Sequence, residues 1–196
     1  MKKIALTGGI ACGKSLAGSI LADAGFPVCD ADGLAHDLMR KGRPVYESVA
    51  NAFGPGILDA DGEIDRTRLG EIVFADAEQR KRLNALVHPA VKDAIRAWLA
   101  GRPAGTAAAV VIIPLLYEAG LETGWDAVIC VASPRALQWS RLMDRGLSEL
   151  EGRRRLAAQL ETAEKMNRAD RVIFNNGTKE RLKEQVLLVL QRLVEE

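Results

Sequence analysis

Hydrophobic positions fall along this chain in two rhythms. Short segments at Lys2–Leu6, Phe26–Cys29, Ala107–Ile113, Asp126–Ala132 and Arg171–Phe174 predict buried strands. The run from Ala107 is apolar throughout, the pattern of a central parallel strand covered on both faces. Between the strands the spacing turns helical. Lys14–Ala24 sets Leu16, Ala17, Ile20 and Leu21 on one side before Gly25 stops it, and Lys179–Val194 groups Leu182, Val186, Val189, Leu190 and Leu193. A helix over about residues 33–40 takes Asp32 as its N-cap. Residues 43–82 predict several short helices divided at Gly54-Pro55-Gly56 and Asp61-Gly62, and a longer one runs over Ala77–Leu99, bent where His88 precedes Pro89. Leu137–Met143 and Glu149–Met166 complete the helical set. Strands alternating with helices imply an α/β fold, a doubly wound parallel sheet of about five strands flanked by helices. The helical stretch after Asp32 and the arginine-rich helical pair are insertions on it.

Composition changes this picture little. The 196 residues suit one compact domain with appendages, and 48% hydrophobic with 27% charged residues is ordinary for a globular chain. A net charge of +1 exerts no general pull on nucleic acid or an anionic membrane. Ala107–Leu116 is only about half a membrane span, and no leader pattern precedes the first strand. Cys12, Cys29 and Cys130 lack CxxC spacing, so neither a disulfide nor a zinc framework is expected, and a reducing cytoplasm suits the chain.

The chemistry is concentrated after the first strand. Gly8-Gly9-Ile10-Ala11-Cys12-Gly13-Lys14-Ser15 matches G-x-x-x-x-G-K-[ST], with a strand before it and an amphipathic helix after it. Small residues let backbone N–H groups curl around phosphates, and the helix start adds a favourable dipole. Lys14 can reach the β- and γ-phosphates of ATP, and the Ser15 hydroxyl can ligate Mg²⁺. No N-K-x-D guanine motif and no LSGGQ signature occurs, and the strongest strand ends in Pro114 rather than an aspartate. A small kinase with a lid fits these exclusions. Asp30-Ala31-Asp32 follows the second strand, whose end is expected beside the first, so that one of the two carboxylates can accept or orient an acceptor proton. Either can equally be a helix cap. Arg135, Arg141, Arg145, Arg153, Arg154 and Arg155 outnumber Asp144, Glu149 and Glu151. Arg141 and Arg145 are the candidates for a clamp on a triphosphate, and Arg153 and Arg154 fit a solvated face. Cys12 is either a thiol activated by the loop or a small residue that fits there. Glu118 can cap a helix or order Mg²⁺-bound water. Trp98, Trp125 and Trp139 suit core or interface positions.

Taken in order, "IALTGGIACGKS", "VCDADGLAHDL", "DRTRLGEIVF", "LNALVHPAV", "VVIIPLLYEAGL" and "RADRVIFNNG" resemble bacterial dephospho-CoA kinase from about residue 3 to 190. The resemblance implies a P-loop nucleotide-kinase fold and transfer from ATP to the ribose 3′-hydroxyl of 3′-dephospho-CoA, the final step of CoA synthesis. It implies a nucleotide-binding core at residues 1–32, 102–140 and 169–196, a helical CoA-side domain at 33–101 and a lid at 141–168. Asp32 would be the base or orienter, with Lys14, Arg141 and Arg145 sharing the catalysis. ATP would lie on Gly8 to Leu16, with Arg141 and Asn175 near adenine, and Arg66 and His88 would face the acceptor. His88 is equally at home as a structural histidine. The implied partners are ATP and dephospho-CoA, with no nucleic acid, membrane or obligate protein partner. Ala11, Cys12 and Leu16 stand where the family has Gly, Ser and Thr, and "IFNNG" replaces "IDNNG". Other small acceptors, such as a nucleoside monophosphate or shikimate, and a nucleotide switch without transfer are the competing readings. A lid of this kind is expected to be mobile over about residues 142–168, hinged at Gly146 and Gly152.

Overall fold

The computed structural model describes residues 1–196. Five strands, β1 (Lys2–Gly8), β2 (Val28–Asp30), β3 (Ala108–Ile112), β4 (Ala127–Ala132) and β5 (Arg171–Phe174), form one sheet. Every pairing is parallel, and the order is β2-β3-β1-β4-β5. The helices are α1 (Lys14–Asp23), α2 (Ala31–Leu38), α3 (Pro44–Phe53), α4 (Arg66–Ala75), α5 (Ala77–Ala100), α6 (Arg135–Met143), α7 (Glu149–Ala157), α8 (Thr162–Arg168) and α9 (Lys179–Glu195). They divide into two compact units, residues 1–30 with 98–196, and residues 31–97.

The first unit holds the sheet. Alternate residues of each strand point to opposite faces. Ile4, Leu6, Val110, Ile129 and Ile173 share a core with Leu21 of α1 and Leu182, Val186 and Leu190 of α9. Each such side chain, fully buried, contributes about 1.5–3 kcal/mol. The other face, with Ala5, Val111, Val128 and Cys130, is buried too, and α8 packs on β1 and β4 there. Burial on both faces is why β3 and β4 show no polar alternation.

The end of β2 does not lie beside the end of β1 as expected, because β3 sits between them. All five residues of β3 are buried, so it takes an interior place, while β2, three residues ending in exposed Asp30, takes the edge. Nor is Asp32 an N-cap, since α2 begins at Ala31 and Asp32 falls in its first turn. Glu149–Met166 is two helices rather than one. The Leu160 N–H leaves the helical ladder to donate to Glu118 Oε1 (2.9 Å), and α8 starts afresh at Thr162. Helix α5 continues through Pro89, whose side is exposed.

The second unit is helical, around buried Val45, Tyr46, Val49, Leu69, Val73, Val87 and Val91. Asp65 caps α4 by accepting from the Thr67 and Arg68 N–H groups at 2.9 and 3.2 Å. No helix of the chain is long and apolar enough to cross a membrane.

Candidate active site

Between β1 and α1 the chain makes a tight loop that only small residues allow. Gly8 and Gly13 have φ of 147° and 96°, and a Cβ on either would sit 2.1 Å from the Val131 carbonyl oxygen or 2.2 Å from Asn175 Nδ2. Ala11 is the one residue other than glycine at positive φ, 57°, which costs an L-residue roughly 1–2 kcal/mol. Lys14 arches over the loop, and its Nζ donates to the Gly8 and Gly9 carbonyls at 3.1 and 2.9 Å. Ser15 is exposed in the first turn of α1, whereas Leu16 packs on the sheet core. Cys12 is fully buried in that core, which fits the reading of a small residue filling space. Burial, the larger cause in each case, pushes the Cys29 thiol up to about 11 and the Cys130 thiol up to about 12, so neither offers a thiolate near neutral pH.

Three side chains brace the loop from behind. Arg141 of α6 donates through Nη1 to the Ala11 carbonyl (3.1 Å) and Ser133 Oγ (3.0 Å), and through Nη2 to the Asn175 carbonyl (3.1 Å). Asn175, one residue past β5, donates from Nδ2 to the Cys12 carbonyl at 2.9 Å. Ser133 Oγ donates to the Asn175 carbonyl at 2.8 Å. The structure thus brings Arg141 and Asn175, which the resemblance sets near adenine, together behind the loop with Ser133. At the loop's other side, Gln138 Nε2 donates to Thr162 Oγ1 (3.1 Å), which lies 2.2 Å from where a Gly9 Cβ would be. A cavity of about 260 Å³ opens there, with Gly9, Ile10, Gln138, Gln159, Thr162 and Met166 among its walls. Sequence patterns gave no sign of Ser133, Gln138 or Thr162, which act through backbone placement rather than spacing.

Glu118 caps no helix and instead joins a buried ion pair. Its Oε1 accepts from Lys165 Nζ at 2.7 Å as well as from the Leu160 N–H. Lys165 is 0% exposed and also donates to the Pro114 carbonyl at 2.8 Å, just past β3. This buried pair ties α8 to the loop that follows β3. Removing one member of such a pair leaves a buried charge alone. Lys165→Met should lower unfolding free energy by about 3–5 kcal/mol, and Lys165→Met with Glu118→Leu should lower it less. Urea unfolding of the three proteins checks this. A single variant as stable as wild type would mean the pair carries no weight.

The remaining arginines are spread out. Arg145 is exposed in the turn after α6, and Arg153 pairs with Glu149 at 3.5 Å on an open surface. Gly146, φ 78°, sits in that same turn, a backbone conformation that favours glycine. Gly152 does not serve as one. It lies inside α7, buried where a Cβ would stand 2.9 Å from Met143 Cε, so its small size serves packing.

In the helical unit Asp32 is exposed on α2, and Arg66 opens α4. Arg66 helps line a cavity of about 160 Å³ with Met39, Ile64, Leu69, Val73 and Leu83. His88 of α5 is not part of that lining. Burial first and Lys92 second hold its imidazole below the usual histidine range.

A parallel sheet in this order, with a glycine cradle and a reaching lysine where its middle strand meets a helix, defines a P-loop kinase fold. The comparisons carry this further. The family profile for dephospho-CoA kinase matches residues 2–181. The chain is 48% identical over 194 residues to the dephospho-CoA kinase of Geobacillus kaustophilus, covering 96% of this chain and 95% of that one. A crystal structure of a Thermus thermophilus protein superposes with a TM-score of 0.84 at 34% identity, over 97% of this chain and 96% of that one. The dephospho-CoA kinase from Campylobacter jejuni does so with 0.68 at 29%, over 98% and 97%. The chain belongs to the dephospho-CoA kinase family.

Proposed function

We propose that the chain transfers the γ-phosphoryl group of ATP to the ribose 3′-hydroxyl of 3′-dephospho-CoA, giving CoA and ADP, the last step of CoA biosynthesis. The observation that carries this is the intact phosphate cradle, Gly8 to Ser15 with Lys14 over it, in a chain of this family. Asp32 orients the 3′-hydroxyl and accepts its proton as the new O–P bond forms. Lys14 holds the γ-phosphate while its bond to the β-phosphate oxygen breaks and ADP leaves. Arg145 supports charge on the transferring group. Asn175 and Arg141 serve the nucleotide, and Arg66 and His88 the acceptor.

The Ser15 hydroxyl, exposed in the first turn of α1 next to the cradle, is the group that would hold Mg²⁺. That ion would neutralise charge on the β- and γ-phosphates.

The test is ADP release from ATP and Mg²⁺. Dephospho-CoA should raise it many-fold, with CoA as product, while AMP and shikimate should not. Greater stimulation by either of those, or none by any acceptor, would overturn the reading.

The lid we place at residues 141–168, on a core of 1–32, 102–140 and 169–196, with 33–101 as acceptor domain. Because Lys165 is buried on Pro114 and Glu118, only about residues 143–158 are assigned the motion. Amides there should gain protection from hydrogen exchange with an unreactive ATP analogue plus dephospho-CoA, and those of α8 should change little. Equal protection of 143–158 in both states would leave α7 as fixed scaffold.

A further inference from the structure

Arg141 is bound into the phosphate loop itself. Its guanidinium spans three acceptors, the Ala11 carbonyl, Ser133 Oγ and the Asn175 carbonyl, all at 3.0–3.1 Å. Asn175 is itself fixed to the sheet, since its N–H donates to the Ala132 carbonyl at 2.8 Å. Its side chain then holds the Cys12 carbonyl. Two consecutive peptide groups of the loop are thus gripped by their oxygens.

A trans peptide is rigid, with C=O and N–H pointing opposite ways. Gripping the Ala11 oxygen fixes the Cys12 N–H, which donates back to the Gly9 carbonyl at 3.3 Å. Gripping the Cys12 oxygen aims the Gly13 N–H away from Asn175. Ala11 adds a reason for the grip. Its backbone is at a φ of 57°, where alanine is strained and would relax if released. Charge-assisted bonds from a guanidinium are stronger than neutral ones and suit such a load.

We infer that Arg141, with Ser133 and Asn175, is a positioning cluster for the phosphate loop, and that Arg141 acts on the triphosphate of ATP through the loop's peptide groups. The inference rests on the reading that the triphosphate lies in this loop.

Inorganic tripolyphosphate separates the two roles, because it has phosphates and no base. Calorimetric binding of ATP and of tripolyphosphate, both with Mg²⁺, is compared in wild type, Arg141→Ala, Arg141→Lys and Asn175→Ala, alongside the KM for dephospho-CoA. Arg141→Ala should weaken both ligands in parallel, by about tenfold to a hundredfold, with the dephospho-CoA KM within about twofold of wild type. Arg141→Lys keeps one donor and loses the fork, so it should fall between, and it gives the same reading if Arg141→Ala does not fold. Asn175→Ala should repeat the parallel loss. Weakened ATP with unchanged tripolyphosphate would assign Arg141 to the base and overturn the inference. So would loss of neither ligand, or an equal loss for dephospho-CoA. If wild type bound no tripolyphosphate, the phosphate-loop reading would fall first. If it bound both ligands but dephospho-CoA accepted no phosphate, only the acceptor reading would fall, and the parallel loss would still support the cluster.

Discussion

Lys14→Ala should lower kcat/KM by at least about a thousandfold. The ammonium lies over the loop within 2.9–3.1 Å of the Gly8 and Gly9 carbonyls, beside the place proposed for the phosphates. A cation fixed against the transferring group in a site that excludes water is worth several kcal/mol, because the local dielectric is low and no solvent has to reorganise. A thousandfold is about 4 kcal/mol of barrier. Folding should change little. The side chain is only half-buried and takes no part in the apolar core. Lys14→Arg should recover little, since a planar fork does not occupy the place of a compact ammonium. Steady-state ADP release across an ATP titration, beside thermal unfolding of the same samples, checks both statements. Turnover within about threefold of wild type would remove this loop from the chemistry.

The strands and the loop were legible because both are written in local pattern. A run such as Ala108–Ile112 needs burial on both faces, and the glycines at 8 and 13 answer to local backbone geometry. The order of the strands is not local. A helix crossing from β1 can return its chain beside β1 or one place further on, and nothing in α1 distinguishes them. What decides is that β3 buries every residue and β2 is three residues long, so the edge falls to β2.

Buried charge was the other blind spot. Lys165 sits in a seven-residue helix that also carries Glu164 and Arg168, a pattern that reads as a solvated face. Its burial depends on Glu118 and the Pro114 carbonyl, far away along the chain. A signal was present on the partner's side. Glu118 follows a run of apolar residues out of a fully buried strand, and a carboxylate in such a place calls for a cation. The carbonyl acceptors of Arg141 were not legible, because backbone carbonyls leave no mark on the residue types around them.

Asp32→Asn separates a catalytic carboxylate from a helix-start charge. Asp32 lies exposed in the first turn of α2, where an acidic residue is favoured by the helix dipole alone. That favour amounts to about 0.3–1 kcal/mol of stability and nothing in turnover. A group that accepts the 3′-hydroxyl proton behaves otherwise. Asparagine keeps the shape and a polar oxygen but has no basicity, so kcat should drop by about 10²–10⁴ with ATP affinity kept. The lower end suits phosphoryl transfer, in which bond breaking runs ahead of attack and the nucleophile needs little help early. The measurement is kcat for both proteins with saturating ATP and dephospho-CoA, with ATP binding measured alongside. Wild-type turnover in the Asp32→Asn variant, with only a small shift in unfolding, would place Asp32 among the residues that merely start a helix.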